Sequence, residues 1–190
     1  MTTEPAKAEL PKSPNSLRLT LWVLLIVYIF NFLDRQIVNI LAEPISRDLG
    51  LSDTQIGLMT GIAFAAFYTF LGIPIARYAD RPKTNRVGLI SVSLIIWSRM
   101  TALCGVAQNF VQLLLARIGV GVGEAGCTPA AHSLIADLAP PEKRASAISF
   151  YSLGIPIGSL LGMVIGGLVA DAYGWRAAFL IAGLPGLALA

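Results

Sequence analysis

Charge is scarce in this sequence. Only 13% of its 190 residues are Asp, Glu, Lys or Arg, against about 25% in an ordinary soluble domain, while 55% are hydrophobic. That balance excludes a water-soluble globule and points to lipid. Histidine is almost missing: His132 stands alone, so a multi-histidine metal site is excluded and no metal or cofactor is expected. The two cysteines, Cys104 and Cys127, fall inside apolar stretches and read as small core residues rather than a disulfide or metal ligands. A G-x-S-G serine motif is also absent, which leaves an intramembrane enzyme without its nucleophile and speaks against an enzyme altogether. The net charge of +3 raises nucleic acid as a partner. The basic residues, however, lie in short clusters between apolar runs and form no polar face, so no nucleic-acid partner is expected.

What the sequence has is long apolar runs. A spanning helix needs about 20 mostly apolar residues, and the chain offers stretches at 18–44, 53–78, 87–107, 110–137, 146–170 and 177–190. Residues 1–16, rich in Pro, Lys, Ser and Glu, read as a disordered cytoplasmic tail, and 17–190 as a transmembrane bundle. The basic tail and the apolar run after it resemble a signal peptide. Asp34 and Arg35 stand where small residues would be cleaved, so the run is read as a retained first span. Lys and Arg set the orientation. Lys7, Lys12, Arg18, Arg77, Arg81, Lys83, Arg86, Lys143 and Arg144 share one side, against Arg47 and Arg176 on the other. This predicts a multi-pass protein of the cell membrane with a cytoplasmic N-terminus. As a helix the last stretch would rise only about 20 Å against a core of about 30 Å. The sixth span is therefore expected to be truncated, the chain being a fragment or a shortened gene product.

Local signals are consistent with this plan. "SDTQ" at 52–55 has the pattern of a capping box opening span two. Gly154, Gly158, Gly162 and Gly166 recur every four residues in span five, Gly57, Gly61 and Ala65 do so in span two, and Gly119 and Gly123 in span four. Such stripes predict close helix–helix contact. Pro156 is expected to weaken or kink span five, and Pro129 to leave the Ala125 carbonyl free and span four bendable.

The informative residues are the charges inside lipid. In "FNFLDRQIVN", residues 30–39, Asp34 and Arg35 interrupt a run that is otherwise apolar from Leu19. A charge at the bilayer centre costs on the order of 3 kcal/mol by insertion scales. At 100° per residue, Tyr28, Asn31, Asp34, Arg35 and Asn39 share one arc of span one, and lipid cannot satisfy that arc. Span four places Arg117, Gly121, Glu124 and Thr128 on one stripe. Two readings are open for these charges. They form static ion pairs between helices, or they line a cavity where a carboxylate takes and releases a proton. Charges on two separate spans favour the second. Asp80, Arg81 and Arg86 gather in one loop, and Asp137, Glu142 and Arg144 in another on the same membrane side. Ordinary positive-inside anchoring is the simpler account of these loops.

"ARYADRPKTNR" resembles the loop signature between the second and third helices of the major facilitator superfamily, roughly G-x-x-x-D-R-x-G-R-R. Ala76 replaces its first glycine and Lys83 its second. "PEKR" at 141–144 resembles the matching element after the fourth helix, and "ARIGVGVGEA" the fourth-helix arginine motif. "NFLDRQIVNILAEPI", "DLGLSDTQIGLMTG", "RIGVGVGEAGCTPAAHSLIAD" and "YSLGIPIGSLLG" look most like the spinster-like branch, ahead of the organic-anion symporters. The resemblance implies an all-α membrane protein, the six-helix N-terminal half of a twelve-helix fold whose C-terminal half is missing here. It implies a proton-coupled secondary transporter working by alternating access on a lipid-like amphiphile or an organic anion. Asn31, Asp34, Arg35, Arg117, Glu124 and Thr128 then form the proton and substrate site, with Asp80, Arg81, Arg86, Glu142 and Arg144 as a conformational latch. The alternative is a half-transporter that is inert or acts by interaction alone. Arg99, in "IIWSRMTAL", departs from the family pattern. It is expected to face the cavity, to snorkel, or to mark a damaged copy.

Overall fold

The structure is a computed structural model describing residues 14–190, in which every regular element is helical. The expected tail at 1–16 lies outside the described residues except for its last three, which open the first helix. That helix, α1 (Pro14–Leu49), ends at Gly50 with φ 62°, and the Leu51 amide donates back to the Ser46 carbonyl at 3.0 Å. Only a residue at ease with positive φ closes a helix in this way. The next crossing opens on the predicted capping box: Ser52 Oγ accepts from the Gln55 amide and Gln55 Oε1 from the Ser52 amide. It runs through α2 (Asp53–Gly57), a π-helical turn over Leu58–Ile62 and α3 (Ala63–Ala79).

The remaining elements are α4 (Arg86–Cys104), α5 (Phe110–Glu124), α6 (Cys127–Leu138), α7 (Pro141–Ser152) and α8 (Gly154–Leu189). The bend expected at Pro129 is a break at residues 125–126, which puts the proline in the first turn of α6, where a missing N–H costs nothing. Pro156 likewise sits in the first turn of α8, just after the break at Leu153. Pro141–Leu189 is a 49-residue stretch apolar enough to cross a membrane. As one straight helix it would be about 74 Å long, against a hydrocarbon core of about 30 Å. Gly174, with φ 83° and ψ 164°, divides it into one full crossing and a last stretch over 175–189 that rises only about 22 Å, short of that core, as expected for the sixth span. With the four other apolar stretches this makes five full crossings and a partial sixth.

Glycine sets how closely these helices pack. A Cβ on Gly154 would lie 2.9 Å from Tyr28 Cβ, one on Gly162 2.7 Å from the Leu33 carbonyl, and one on Gly166 2.7 Å from Ile37 Cγ1. The span-five stripe is therefore the seat of α1. Gly123 admits the Trp97 backbone of α4, and Gly183 admits Ser98 and Ala102 from the other side. In span two the expectation fails: Cβ atoms on Gly57 and Gly61 would meet nothing within 4 Å. Four-residue spacing produces a smooth face, but contact also needs a neighbour, and that face lies at the edge of the bundle.

One end of the bundle is clasped. Asp48, at the end of α1, accepts from Trp175 Nε1 at 3.1 Å and pairs with Arg176. Arg176 also donates to the Ala107 carbonyl at 3.1 Å and lies over the Trp175 ring. Three separate turns meet there. Asp48→Ala is expected to speed amide hydrogen exchange around 105–109 and 174–176 while leaving total helicity unchanged. Unchanged exchange in both segments would show that the clasp restrains nothing.

Candidate functional site

Two ion pairs cross from α1 to α5 inside the bundle. Asp34 Oδ2 lies 3.4 Å from Arg117 Nη1, with the two side chains 1% and 2% exposed. Arg35 Nε donates to Glu124 Oε2 at 2.7 Å, and Glu124 is wholly buried. Adjacent residues on α1 thus take partners two turns apart on α5, and each acid is matched by a base from the other helix. A helix turns about 100° per residue, so Asp34 and Arg35 diverge just enough to reach Arg117 and Glu124 separately. Arg117 and Glu124, seven residues apart, are not paired to each other. Asn31 is buried on the same side of α1, and Thr101 and Trp97 of α4 lie near the Asp34 carboxyl. Asn39, expected on this arc, instead lies exposed and donates to Gln36.

The pairs do not use up the site's polar capacity. Asp34 Oδ1, Glu124 Oε1, Arg117 Nε, Asn31 Oδ1 and Thr101 Oγ1 are all buried without a hydrogen-bond partner among the described residues. Buried polar atoms are normally satisfied, and each exception calls for an explanation. Here the carboxylates both keep one oxygen able to accept a proton, and Arg117 keeps one N–H able to donate to an anion.

Arg35 has a second set of partners. Its guanidinium lies 5.2 Å from the Phe32 ring centre, 5.0 Å from Phe64 and 4.7 Å from Tyr68. Arg117 also lies 5.4 Å from the Phe64 ring centre. Span two has no acidic or basic residue at this depth, so its aromatics gave no sequence signal. The nearest hint is the four-residue spacing of Phe64 and Tyr68, whose rings stack at 5.8 Å. The π-helical turn just before Phe64 inserts an extra residue and rotates the rest of the span by roughly 100°. Gly121 then lets α5 approach, since a Cβ there would lie 3.1 Å from the Phe64 carbonyl. Thr128 lies beside the hydroxyls of Tyr28 and Tyr151, whose rings stack at 4.1 Å. Arg35→Lys keeps the charge for Glu124 but loses the planar face, and a desolvated cation–π contact contributes up to about 2 kcal/mol. The variant is expected to unfold at lower denaturant, by about 1–2 kcal/mol, in detergent titrations. A midpoint equal to the parent would contradict it.

The loop residues are less gathered. Asp80, expected in the latch, is exposed and its carboxylate makes no hydrogen bond or ion pair among the described residues. Its place is taken by Asp137, whose Oδ2 lies 2.6 Å from Arg86 Nη1. Asp80 caps the end of α3, where its side chain leaves the bundle, whereas Asp137 in the last turn of α6 faces the start of α4. Arg86 Nε also donates to Ser133 Oγ at 2.7 Å and to the Ala79 carbonyl at 3.1 Å. Arg81 lies over Tyr78, Arg144 donates to the Ala139 carbonyl, and Glu142 is exposed in the first turn of α7.

Five apolar stretches long enough to cross a membrane, and a shorter sixth, pack around buried ion pairs as a multi-pass membrane bundle. Residues 24–190 match the Major Facilitator Superfamily, and the chain belongs to that family. Within it the chain falls in the spinster-like branch. Its fold matches the crystal structure of a bacterial homolog to the human lysosomal transporter Spinster, inward-facing and unoccupied. The TM-score is 0.86 with 41% identity, covering 93% of this chain and 42% of that one. The chain is 42% identical over 168 residues to an MFS-type efflux pump of Mycolicibacterium smegmatis, covering 88% of this chain and 39% of the pump. It is 32% identical over 162 residues to a hexuronate transporter of Bacillus subtilis, covering 84% and 37%. The chain thus spans about two fifths of the length of these relatives.

Proposed function

We propose that this chain belongs to a proton-coupled transporter that moves a lipid-like amphiphile or an organic anion by alternating access. The observation that carries the reading is the crossed pair of buried ion pairs, Asp34 with Arg117 and Arg35 with Glu124. Leaving one member of a buried pair unmatched costs roughly 3–5 kcal/mol, so a proton arriving on one acid changes what its arginine must hold. Protonation of Asp34 frees Arg117, and protonation of Glu124 frees Arg35. Either freed guanidinium is matched again by a substrate carboxylate or phosphate. Phe32, Phe64 and Tyr68 offer apolar surface beside that anion for the rest of an amphiphile. The relative named for hexuronate, itself an organic anion, is consistent with this chemistry.

The excess of Lys and Arg beside the N-terminus and in the loops around 80–86 and 139–144 supports a cytoplasmic N-terminus in the cell membrane. On that face Arg86 and Asp137 form the closed part of a latch, to which Asp80, Arg81, Glu142 and Arg144 contribute in other conformations. The uncovered Gly57 and Gly61 favour a further partner over an inert fragment, and a second six-helix half is the partner that alternating access requires. The test is uptake of a panel of lysolipids and organic anions into proteoliposomes holding a transporter of full family length that carries this sequence. Accumulation of at least one compound, driven by an imposed proton gradient and collapsed by a protonophore, is expected. A panel indifferent to the gradient would overturn the coupling.

A further inference from the structure

Arg99 takes no part in the site. It is exposed on α4 and makes no hydrogen bond, ion pair or ring contact among the described residues. It belongs to a stripe of Val92, Ile96, Arg99, Leu103 and Val106, spaced alternately four and three residues apart and exposed throughout. The other faces of α4 are covered, by Gly123 and Gly126 on one side and Gly183 and Gly186 on the other. No described helix covers the stripe, and it lies on the side of α4 away from Trp97 and Thr101, so Arg99 does not face the ion-pair site. Arg99 lies five residues before the end of α4, a rise of about 8 Å, within reach of the headgroups by snorkelling. Beside it, where α4 turns into α5, an open groove of about 600 Å³ is walled by Met100, Leu103, Leu115 and Ala116 and rimmed by Gln108 and Gln112. Gln112 Oε1 accepts from the Gln108 amide, which leaves its NH₂ group to donate.

We infer that this groove binds an anionic phospholipid. An acyl chain lies along Met100, Leu103 and Leu115, and the phosphate sits between the Arg99 guanidinium and the Gln112 amide. Charge complementarity selects the lipid over a second copy of the chain. A symmetric dimer across this stripe would bring two unpaired Arg99 cations together at low dielectric, whereas a phosphate supplies the missing countercharge. A net anionic lipid is favoured over a zwitterionic one because it brings no cation of its own to the groove.

The test is native mass spectrometry of the intact chain released from detergent containing equal phosphatidylglycerol and phosphatidylcholine. One phosphatidylglycerol per chain should be retained several-fold over phosphatidylcholine. Arg99→Gln should abolish the preference and Arg99→Lys restore most of it. Removing a lipid-facing charge does not threaten insertion, and circular dichroism of the variant checks its helicity. Leu103→Trp, which fills the groove and leaves the charge, should also reduce retention. Equal retention of the two lipids by the parent, an unchanged preference in Arg99→Gln, or a lipid-free dimer would each overturn the assignment.

Discussion

Asp34→Asn is expected to abolish gradient-driven uptake by the complete transporter while leaving its fold in place. The two effects separate because of what Asn keeps. Arg117 is 2% exposed and its partner atom is Asp34 Oδ2. An Asn side chain still presents an oxygen to the same guanidinium, so the loss falls short of the roughly 3–5 kcal/mol of a buried ion pair broken outright. What Asn cannot do is bind and release a proton. Accumulation against a gradient should drop to background, while exchange of labelled for unlabelled substrate persists, since exchange needs the substrate site and the moving halves but no net proton. Glu124→Gln serves as the parallel case through Arg35. Normal gradient-driven accumulation by Asp34→Asn would remove Asp34 as the coupling acid. Loss of both accumulation and exchange would place it in substrate binding instead.

Much of this site was legible because lipid makes polarity expensive. Asp34, Arg117 and Glu124 stood out in the sequence by being charged at membrane depth, and all three are buried together. Which acid met which base was not legible. Periodicity puts Arg117 and Glu124 on one stripe, but helices α1 and α5 cross at a separation and angle that side-chain spacing within one helix does not encode. Phe64 and Tyr68 were hidden for the opposite reason. Aromatic residues cost nothing in lipid, so those facing the bundle look the same as exposed Phe67 and Phe70 beside them. Their orientation depends on a π-helical turn whose sequence, LMTGI, carries no distinguishing residue. The loops failed differently again. Asp80 and Asp137 are both acids near the same membrane surface, and only the positions of the helix ends decide which one Arg86 reaches.

The glycine stripe was the most faithful sequence signal, and it supports the last prediction. Gly158→Leu is expected to destabilise the bundle by the upper end of the about 1–3 kcal/mol typical of overpacked sites, or more. A Cβ at this position would fall on the Ile29 carbonyl and within 2.9 Å of Phe32 Cβ. The Ile29 carbonyl belongs to the backbone of α1 and has no rotamer to yield, so α1 and α8 must move apart. Without water to drive apolar association, packing at close range is most of what holds such helices together. Separation at Gly158 also shifts Phe32 and, three residues on, Arg35, so the site should loosen with the fold. Gly167, one residue beyond the last glycine of the stripe, meets nothing within 4 Å and provides the control. Gly167→Ala should leave stability unchanged or raise it by up to about 1 kcal/mol, since Ala is the better helix former and its methyl meets no neighbour. Both variants are compared by unfolding titration in detergent. Equal midpoints for Gly158→Leu and Gly167→Ala would mean that the α1–α8 contact does not hold the bundle together.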